Sequence, residues 1–386
     1  MKTLEEPRLE LQDIFNRYGE EFSKGHKLSP VQSKAMEAIG NCRTMKLGSH
    51  SMQCDKCGHI EVSYNSCRNR HCPKCQWLKQ QVWVERVKSQ LLPVRYFHVV
   101  FTLPESLNPI VMLNHATIYN FLFETSWGAL QQVSQNPAFL GAQTGAVSIL
   151  HTWGQTLTLH PHMHMLVPAG GLDTDGWQWH NSAKKFFVPI KALSKVFRAR
   201  FIKLLLKAID ENKLLLPCGQ MIFSNPGALK KLLYKKDWVV YCKKCFAGPA
   251  QVITYLGRYT HRVAISNSRL VSAQNNTVSF RWKDYRDHDH WKVMELAAKE
   301  FIRRFLMHIL PRGFYKIRYF GIFAVASRKT RLQQCFDLLG CHREQSIYKG
   351  LSNGVILFLI RGKNTFICPV CKKGTLCLLH PPNELF

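Results

Sequence analysis

Apolar positions recur along this chain at two periods, close to four residues and close to two, and the switch between them lays out its elements. Residues 1–40 set Leu9, Leu11, Ile14 and Phe15 among charged neighbours at helical spacing, and Ser29-Pro30 reads as a second helix start. A helix is predicted from Gln76 to Leu92, broken by Pro93, and Tyr96–Leu103 reads as a buried strand ended by Pro104. Helical spacing returns over 107–134, and Ala146 to Pro168 is strand-rich, followed by turn signals at Gly170-Gly171 and Thr174-Asp-Gly176. From Pro189 onward Leu193, Val196, Phe197, Phe201 and Leu204 form the inward stripe of an amphipathic helix. The pattern is that of an α+β chain, divided at 1–92, 93–330 and 331–386.

Within the strand-rich stretch three histidines alternate, His160, His162 and His164. A strand sends successive side chains to opposite faces, so His162 and His164 share one face, and neutral imidazole is a common metal ligand. His160 lies on that face too and is the first choice for a third ligand, although Pro161 bends a strand there; His151 and Gln155 are the alternatives. About ninety residues later, Tyr255 and Tyr259 are spaced to lie one above the other on a helix, a rise of ~6 Å. Both phenols could then serve one ion. Arg258 and Arg262 flank them as phosphate contacts, and Gly257 leaves room for a close approach of DNA. A metal-bearing strand followed by a tyrosine pair points to a nuclease that bonds covalently to DNA. The ion would be Mg²⁺ or Mn²⁺, and imidazole suits Mn²⁺ better.

Charge strengthens this reading. The 386 residues carry a formal charge of +28, a surface that attracts a polyanion, and nucleic acid is the usual one. Residues 184–207 hold eight Lys or Arg and no acid, and 299–331 hold nine against Glu300 alone. Aromatics are interleaved in the second run (Phe301, Phe305, Phe314, Tyr315, Tyr319, Phe320, Phe323), where rings could stack unpaired bases while cations track the backbone. No apolar run approaches the ~18 residues that cross a bilayer, and the N-terminal residues have no signal-peptide pattern. A cytoplasmic, DNA-associated protein is expected, with no membrane partner and self-association left open.

Fourteen cysteines in such a chain argue for metal rather than disulfides. Cys54-x2-Cys57 and Cys72-x2-Cys75, fourteen residues apart, match the two-knuckle layout of one structural zinc site. Cys42, Cys67, His50, His59 and His71 lie close enough to leave room for a second ion. Cys368-x2-Cys371-x5-Cys377-x2-His380 reads as a small zinc ribbon of its own, and Cys242-x2-Cys245 as ordinary thiols.

Taken in order, Tyr64–Gln76, Phe97–Glu105, His160-Pro-His-Met-His164, Tyr255–Asn267, Phe280–Tyr285 and Leu310–Gly321 resemble the two-tyrosine HUH (His-hydrophobe-His) transposases of bacterial rolling-circle insertion sequences, which have an N-terminal zinc-binding domain. The resemblance runs from about residue 10 to about residue 330. It implies an HUH-nuclease core, an antiparallel sheet flanked by helices whose central strand carries His162 and His164. It also implies attack by Tyr255 or Tyr259 on the element's end, a 5′-phosphotyrosine link with a free 3′-hydroxyl, and transfer through single-stranded DNA. Two rivals remain: a plasmid replication initiator or relaxase with the same chemistry, and a non-catalytic zinc-dependent DNA-binding protein. The zinc knuckles and the lack of a Gly-x4-Gly-Lys-[Ser/Thr] loop favour the transposase.

Overall fold

The structure is a computed structural model that describes residues 8–182, 187–245, 249–260, 264–362 and 364–379; the side chains of Pro249, Tyr255, Leu256, Arg258, Tyr259 and Thr260 lie outside it. Two compact units share the chain in alternation: Met1–Glu85, His261–Ile309 and Ser346–Phe386 form the first, Arg86–Thr260 and Leu310–Gln345 the second. In chain order the first stretch contributes α1 (Leu11–Gly25), α2 (Pro30–Gly40), β1 (Ser49–Cys54), β2 (Ile60–Tyr64) and α3 (Trp77–Lys88), within which the boundary falls. Next come β3 (Tyr96–Thr102), α4 (Asn108–Leu113), α5 (His115–Ser134), β4 (Gly145–Trp153) and β5 (Leu159–Pro168). The second unit continues with β6 (Gly170–Leu172), β7 (Trp179–Asn181), α6 (Ile190–Asp210), α7 (Met221–Ser224), α8 (Pro226–Tyr234), β8 (Val240–Lys244) and α9 (Pro249–Thr260). The chain then returns to the first unit for β9 (Leu270–Gln274), β10 (Thr277–Asp284), β11 (His290–Ala297) and α10 (Ala298–Leu306). Finally β12 (Ile317–Gly321) and α11 (Arg331–Leu338) rejoin the second unit, and α12 (Asn353–Arg361) and β13 (Leu376–Leu378) the first.

The second unit is built on a sheet in the order β12-β4-β5-β3-β8, antiparallel throughout, with β5 at its centre. Alternation along β5 decides what each face carries. Met163, Met165 and Val167 are fully buried and join Val99, Phe101 and Leu150 in the main core, while His162 and His164 on the other face are half-buried. Helices α5 and α6 cover the apolar face: Phe101 meets Phe197 of α6 edge-on, with ring centres 5.1 Å apart. Each such buried side chain contributes ~1.5–3 kcal/mol relative to exposure. The inward stripe predicted for α6 is largely present, with Leu193, Phe197 and Phe201 buried and Val196 and Leu204 half-buried. Its exposed Lys191, Lys195, Lys203 and Lys207 therefore stand on the outer side of a helix that covers the face without the histidines.

In the first unit, α1 turns Leu11, Ile14, Phe15, Tyr18 and Phe22 inward, and the Ser29 hydroxyl caps α2 by accepting from the Gln32 N–H at 3.4 Å. The apolar stripe of α1 finds its partner in α10, where Phe15 and Phe305 meet edge-on at 5.5 Å. Residues 264–309, read from sequence with the central segment, thus group with the N-terminal residues in this unit. Most rings of the basic-aromatic run are core: Phe301, Phe305, Phe314 and Phe323 are buried and Phe320 stacks on Trp127, which leaves Tyr315 as the exposed ring among them.

Candidate functional site

The central sheet builds a histidine cluster by register. His151 on β4 stands directly opposite His162 on β5, and Ile149 opposite His164, so antiparallel pairing brings the third imidazole in from the neighbouring strand. The ligand nitrogens of His151, His162 and His164 all lie within 4.8 Å of one another. His160, the first choice from sequence, is exposed at the start of β5 and stands outside this group. The physical reason is reach: the His151 ring is 5.3 Å from that of His162 and 4.3 Å from that of His164, whereas His160 neighbours His162 but stands four residues before His164 on the same strand.

Hydrogen bonds orient the rings. His162 Nδ1 is 2.6 Å from the carbonyl oxygen of His160, which can only accept, so Nδ1–H donates and Nε2 keeps a lone pair for an ion. His164 Nδ1 lies 2.8 Å from Nε2 of His98, a half-buried residue of β3 stacked on it at 5.0 Å. Burial holds His98 and His162 down to about 4, and His151 and His164 well below the usual 6.5. All are neutral at pH 7, the form that binds metal. Three neutral imidazoles on two rigid strands fit a divalent ion with positions left for substrate. Lys316, buried beside β4, sets its ammonium 5.9 Å from the Trp153 ring and adds to the lowering at His151.

Helix α9, which bears positions 255 and 259, packs against β4 and β5. Among its described residues Ile253 and Gly257 are buried. The side chains of Tyr255, Arg258 and Tyr259, and the whole of Arg262, lie outside the described residues.

The cysteines form two tetrads in the first unit, and neither is the predicted one. Cys72 and Cys75 lie with Cys42 and Cys67, whereas Cys54 and Cys57 lie with Cys368 and Cys371. The four residues read from spacing as one site thus divide between two, because β1 and β2 form a hairpin that pairs with the distant β13. In the first tetrad Sγ–Sγ separations are 3.4 Å for Cys42–Cys75, 3.6 Å for Cys67–Cys75 and 3.7 Å for Cys42–Cys72. Four sulfurs at a Zn–S distance of ~2.3 Å in a tetrahedron stand about 3.8 Å apart, so this set fits zinc. Cys377 is exposed and outside both tetrads, and His380 lies outside the described residues, so the small C-terminal ribbon is not formed as predicted. Cys242 and Cys245 belong to no metal-ligand group among the described residues, and burial pushes their thiols up to about 12 and about 11.

Sequence reasoning missed His98 and Lys316. His98 sits in an apolar strand with no spacing relation to His164, and only the β3–β5 pairing brings them together. Lys316 is one cation among many in a basic run, and only its burial sets it apart.

Comparison with known proteins places these features together. Residues 145–331 match a family model described as Putative transposase, and residues 14–103 match one described as Transposase zinc-binding domain. The chain is similar to the putative transposase y4qJ of Sinorhizobium fredii, 48% identical over 86% of this chain and 84% of that protein. It is also similar to the transposase for insertion sequence element IS801 of Pseudomonas savastanoi pv. phaseolicola, 28% identical over 77% of this chain and 71% of that protein. No solved structure matches it.

Proposed function

Since the chain belongs to the rolling-circle transposases of bacterial insertion sequences, with a transposase zinc-binding domain at its N-terminal end, we propose that it nicks and joins single-stranded DNA by tyrosine attack. The phenol oxygen of Tyr255 or Tyr259 attacks the phosphorus at the element's end. A new O–P bond forms, the bond to the 3′ oxygen breaks, and the phenol proton passes to solvent as the leaving 3′-hydroxyl gains one. The phosphotyrosine keeps the energy of the broken bond, so a 3′-hydroxyl of another strand can reverse the step and join. The second tyrosine acts on the other strand or on the target.

A phenol with its ordinary pKa near 10 is a weak nucleophile against an anionic phosphate. His151, His162 and His164 would hold a Mg²⁺ or Mn²⁺ ion, which supplies positive charge to the phosphate oxygens. Lys316 adds a fixed cation on the same side, and Arg258 and Arg262 hold neighbouring phosphates. What supports this reading most is one placement: the helix carrying both tyrosine positions packs on the two strands that carry the three histidines. No helix among the described residues is long and apolar enough to cross a membrane.

The test is incubation of the purified chain with labelled single-stranded DNA bearing element ends, with Mn²⁺ or Mg²⁺, resolved on a denaturing gel. A slow, protease-sensitive band that requires the metal is expected. Tyr255→Phe/Tyr259→Phe should abolish the band and leave DNA binding intact, because only the attacking oxygens are removed. A covalent product retained by that double variant would overturn the assignment. Binding without any covalent product in the unaltered protein would instead fit a DNA-binding protein on the same scaffold.

A further inference from the structure

The matched zinc-binding domain spans residues 14–103, yet half of the second tetrad comes from the other end of the chain. Cys54 and Cys371 sulfurs are 3.6 Å apart across 317 positions of sequence, and Cys57 and Cys368 are 3.7 Å apart across 311. These separations suit thiolates around one tetrahedral zinc, about 3.8 Å apart, and not the ~2.05 Å of a disulfide.

The two cysteine pairs are built alike. After each second cysteine the backbone turns left-handed, at Gly58 (φ 68°) and Lys372 (φ 56°). The N–H of that residue donates to the carbonyl of the first cysteine, at 3.1 Å for Gly58 and 3.0 Å for Lys372. Backbone N–H groups also reach the sulfurs: Lys56 to Cys54 at 3.4 Å and Gly374 to Cys371 at 3.3 Å.

The pairs are also tied to each other. Strand β13 pairs with β1 through Met52↔Leu378, Gln53↔Cys377 and Cys54↔Leu376. Asp55 N–H donates to the Thr375 carbonyl at 3.1 Å, and Thr375 N–H donates to Asp55 Oδ1 at 2.7 Å. Gly374 is required for that approach, since a Cβ there would fall on Cys54 Sγ and lie 2.6 Å from Asp55 Oδ1.

We propose that Cys54, Cys57, Cys368 and Cys371 form a second zinc site, separate from that of Cys42, Cys67, Cys72 and Cys75, which clamps the C-terminal segment onto the N-terminal hairpin. The ion joins the first and last passages of the chain through this unit, so release of the zinc loosens β13 from β1. The C-terminal cysteines thus complete a ribbon that begins more than three hundred residues earlier.

Zinc counting on the full-length protein tests this. With His151, His162 and His164 replaced by Ala in every form so that only thiolate sites are counted, the otherwise unaltered chain is expected to carry two equivalents, and Cys368→Ser/Cys371→Ser one. Cys54→Ser/Cys57→Ser should also carry one, and the fourfold variant still one, because both pairs serve the same ion. Cys377→Ser should keep both. Two equivalents in Cys368→Ser/Cys371→Ser, none in the fourfold variant, or loss of an ion in Cys377→Ser would each overturn the proposal.

A measurement on the unaltered protein removes any dependence on how the variants fold. Thiolate-to-cobalt absorption on titration with Co²⁺ should saturate at two equivalents. Saturation at one, or Cys54–Cys371 and Cys57–Cys368 disulfides found by mass analysis of protein purified without reductant, would equally rule the site out.

Discussion

His98 shows how much a single side chain can contribute without touching substrate. For His164 to offer Nε2 to an ion, its Nδ1 must carry the proton and donate to His98 Nε2, 2.8 Å away. His98 is then a positioning residue that fixes the tautomer and angle of a ligand. Losing such a partner typically costs 10–100-fold in metal affinity. His98→Phe should therefore weaken Mn²⁺ binding by roughly that factor, while His98→Gln, which keeps an acceptor, should recover most of it. Equal affinities for the two variants in a metal titration would show that the ring only fills space. Proton linkage makes a second expectation at this scale. His98 and His162 titrate at about 4 when folded against an ordinary 6.5, so between those values the unfolded chain binds more protons than the folded one. Stability is fully present above pH 6.5 and is lost as the pH falls toward 4. Melting of the metal-free protein should occur at a lower temperature at pH 5 than at pH 7.5, and an unchanged midpoint would contradict the buried neutral imidazoles.

At the scale of elements, the two faces of the central sheet separate packing from chemistry. Phe197→Ala, on the α6 side, should cost ~3–5 kcal/mol in denaturant unfolding, because the cavity opens against Phe101, Phe201 and Trp238. Lys191→Glu/Lys195→Glu, on the outer side of the same helix, should leave the yield of covalent DNA product unchanged, since α6 covers the face opposite the histidines. A marked drop in that product would place DNA over α6. Much of this layer was legible in sequence: the N-cap at Ser29, the stripe of α6 and the His162–His164 face follow from local periodicity. What was not legible depends on pairing between strands. Nothing local distinguishes His151 from His160 as the third imidazole, and the choice is made by the β4–β5 register. The zinc knuckles failed for the same reason. Cys-x2-Cys spacing identifies a half-site from its own turn, but the partner half comes from wherever a strand returns, here β13.

For the molecule as a whole the governing quantity is charge, +28 over 386 residues. A transposase meets its DNA first as a polyanion, and the released counterions make that encounter depend on salt. For single strands the slope of log affinity against log salt is about −0.7 per phosphate neutralised, so contact with about six phosphates gives a slope of about −4. Raising salt from about 50 to about 200 mM should then weaken binding by about 300-fold. The tyrosine pair adds no charge at neutral pH, so Tyr255→Phe/Tyr259→Phe should show the same slope as the unaltered protein when binding is followed by fluorescence anisotropy. Lys316→Met should flatten it by about 0.7, one phosphate's worth, if the buried ammonium meets the strand. A slope near zero for every form would mean that the surplus of lysine and arginine serves something other than DNA capture. A steep slope unaffected by Lys316→Met would leave general capture in place and remove that residue from the phosphate contacts.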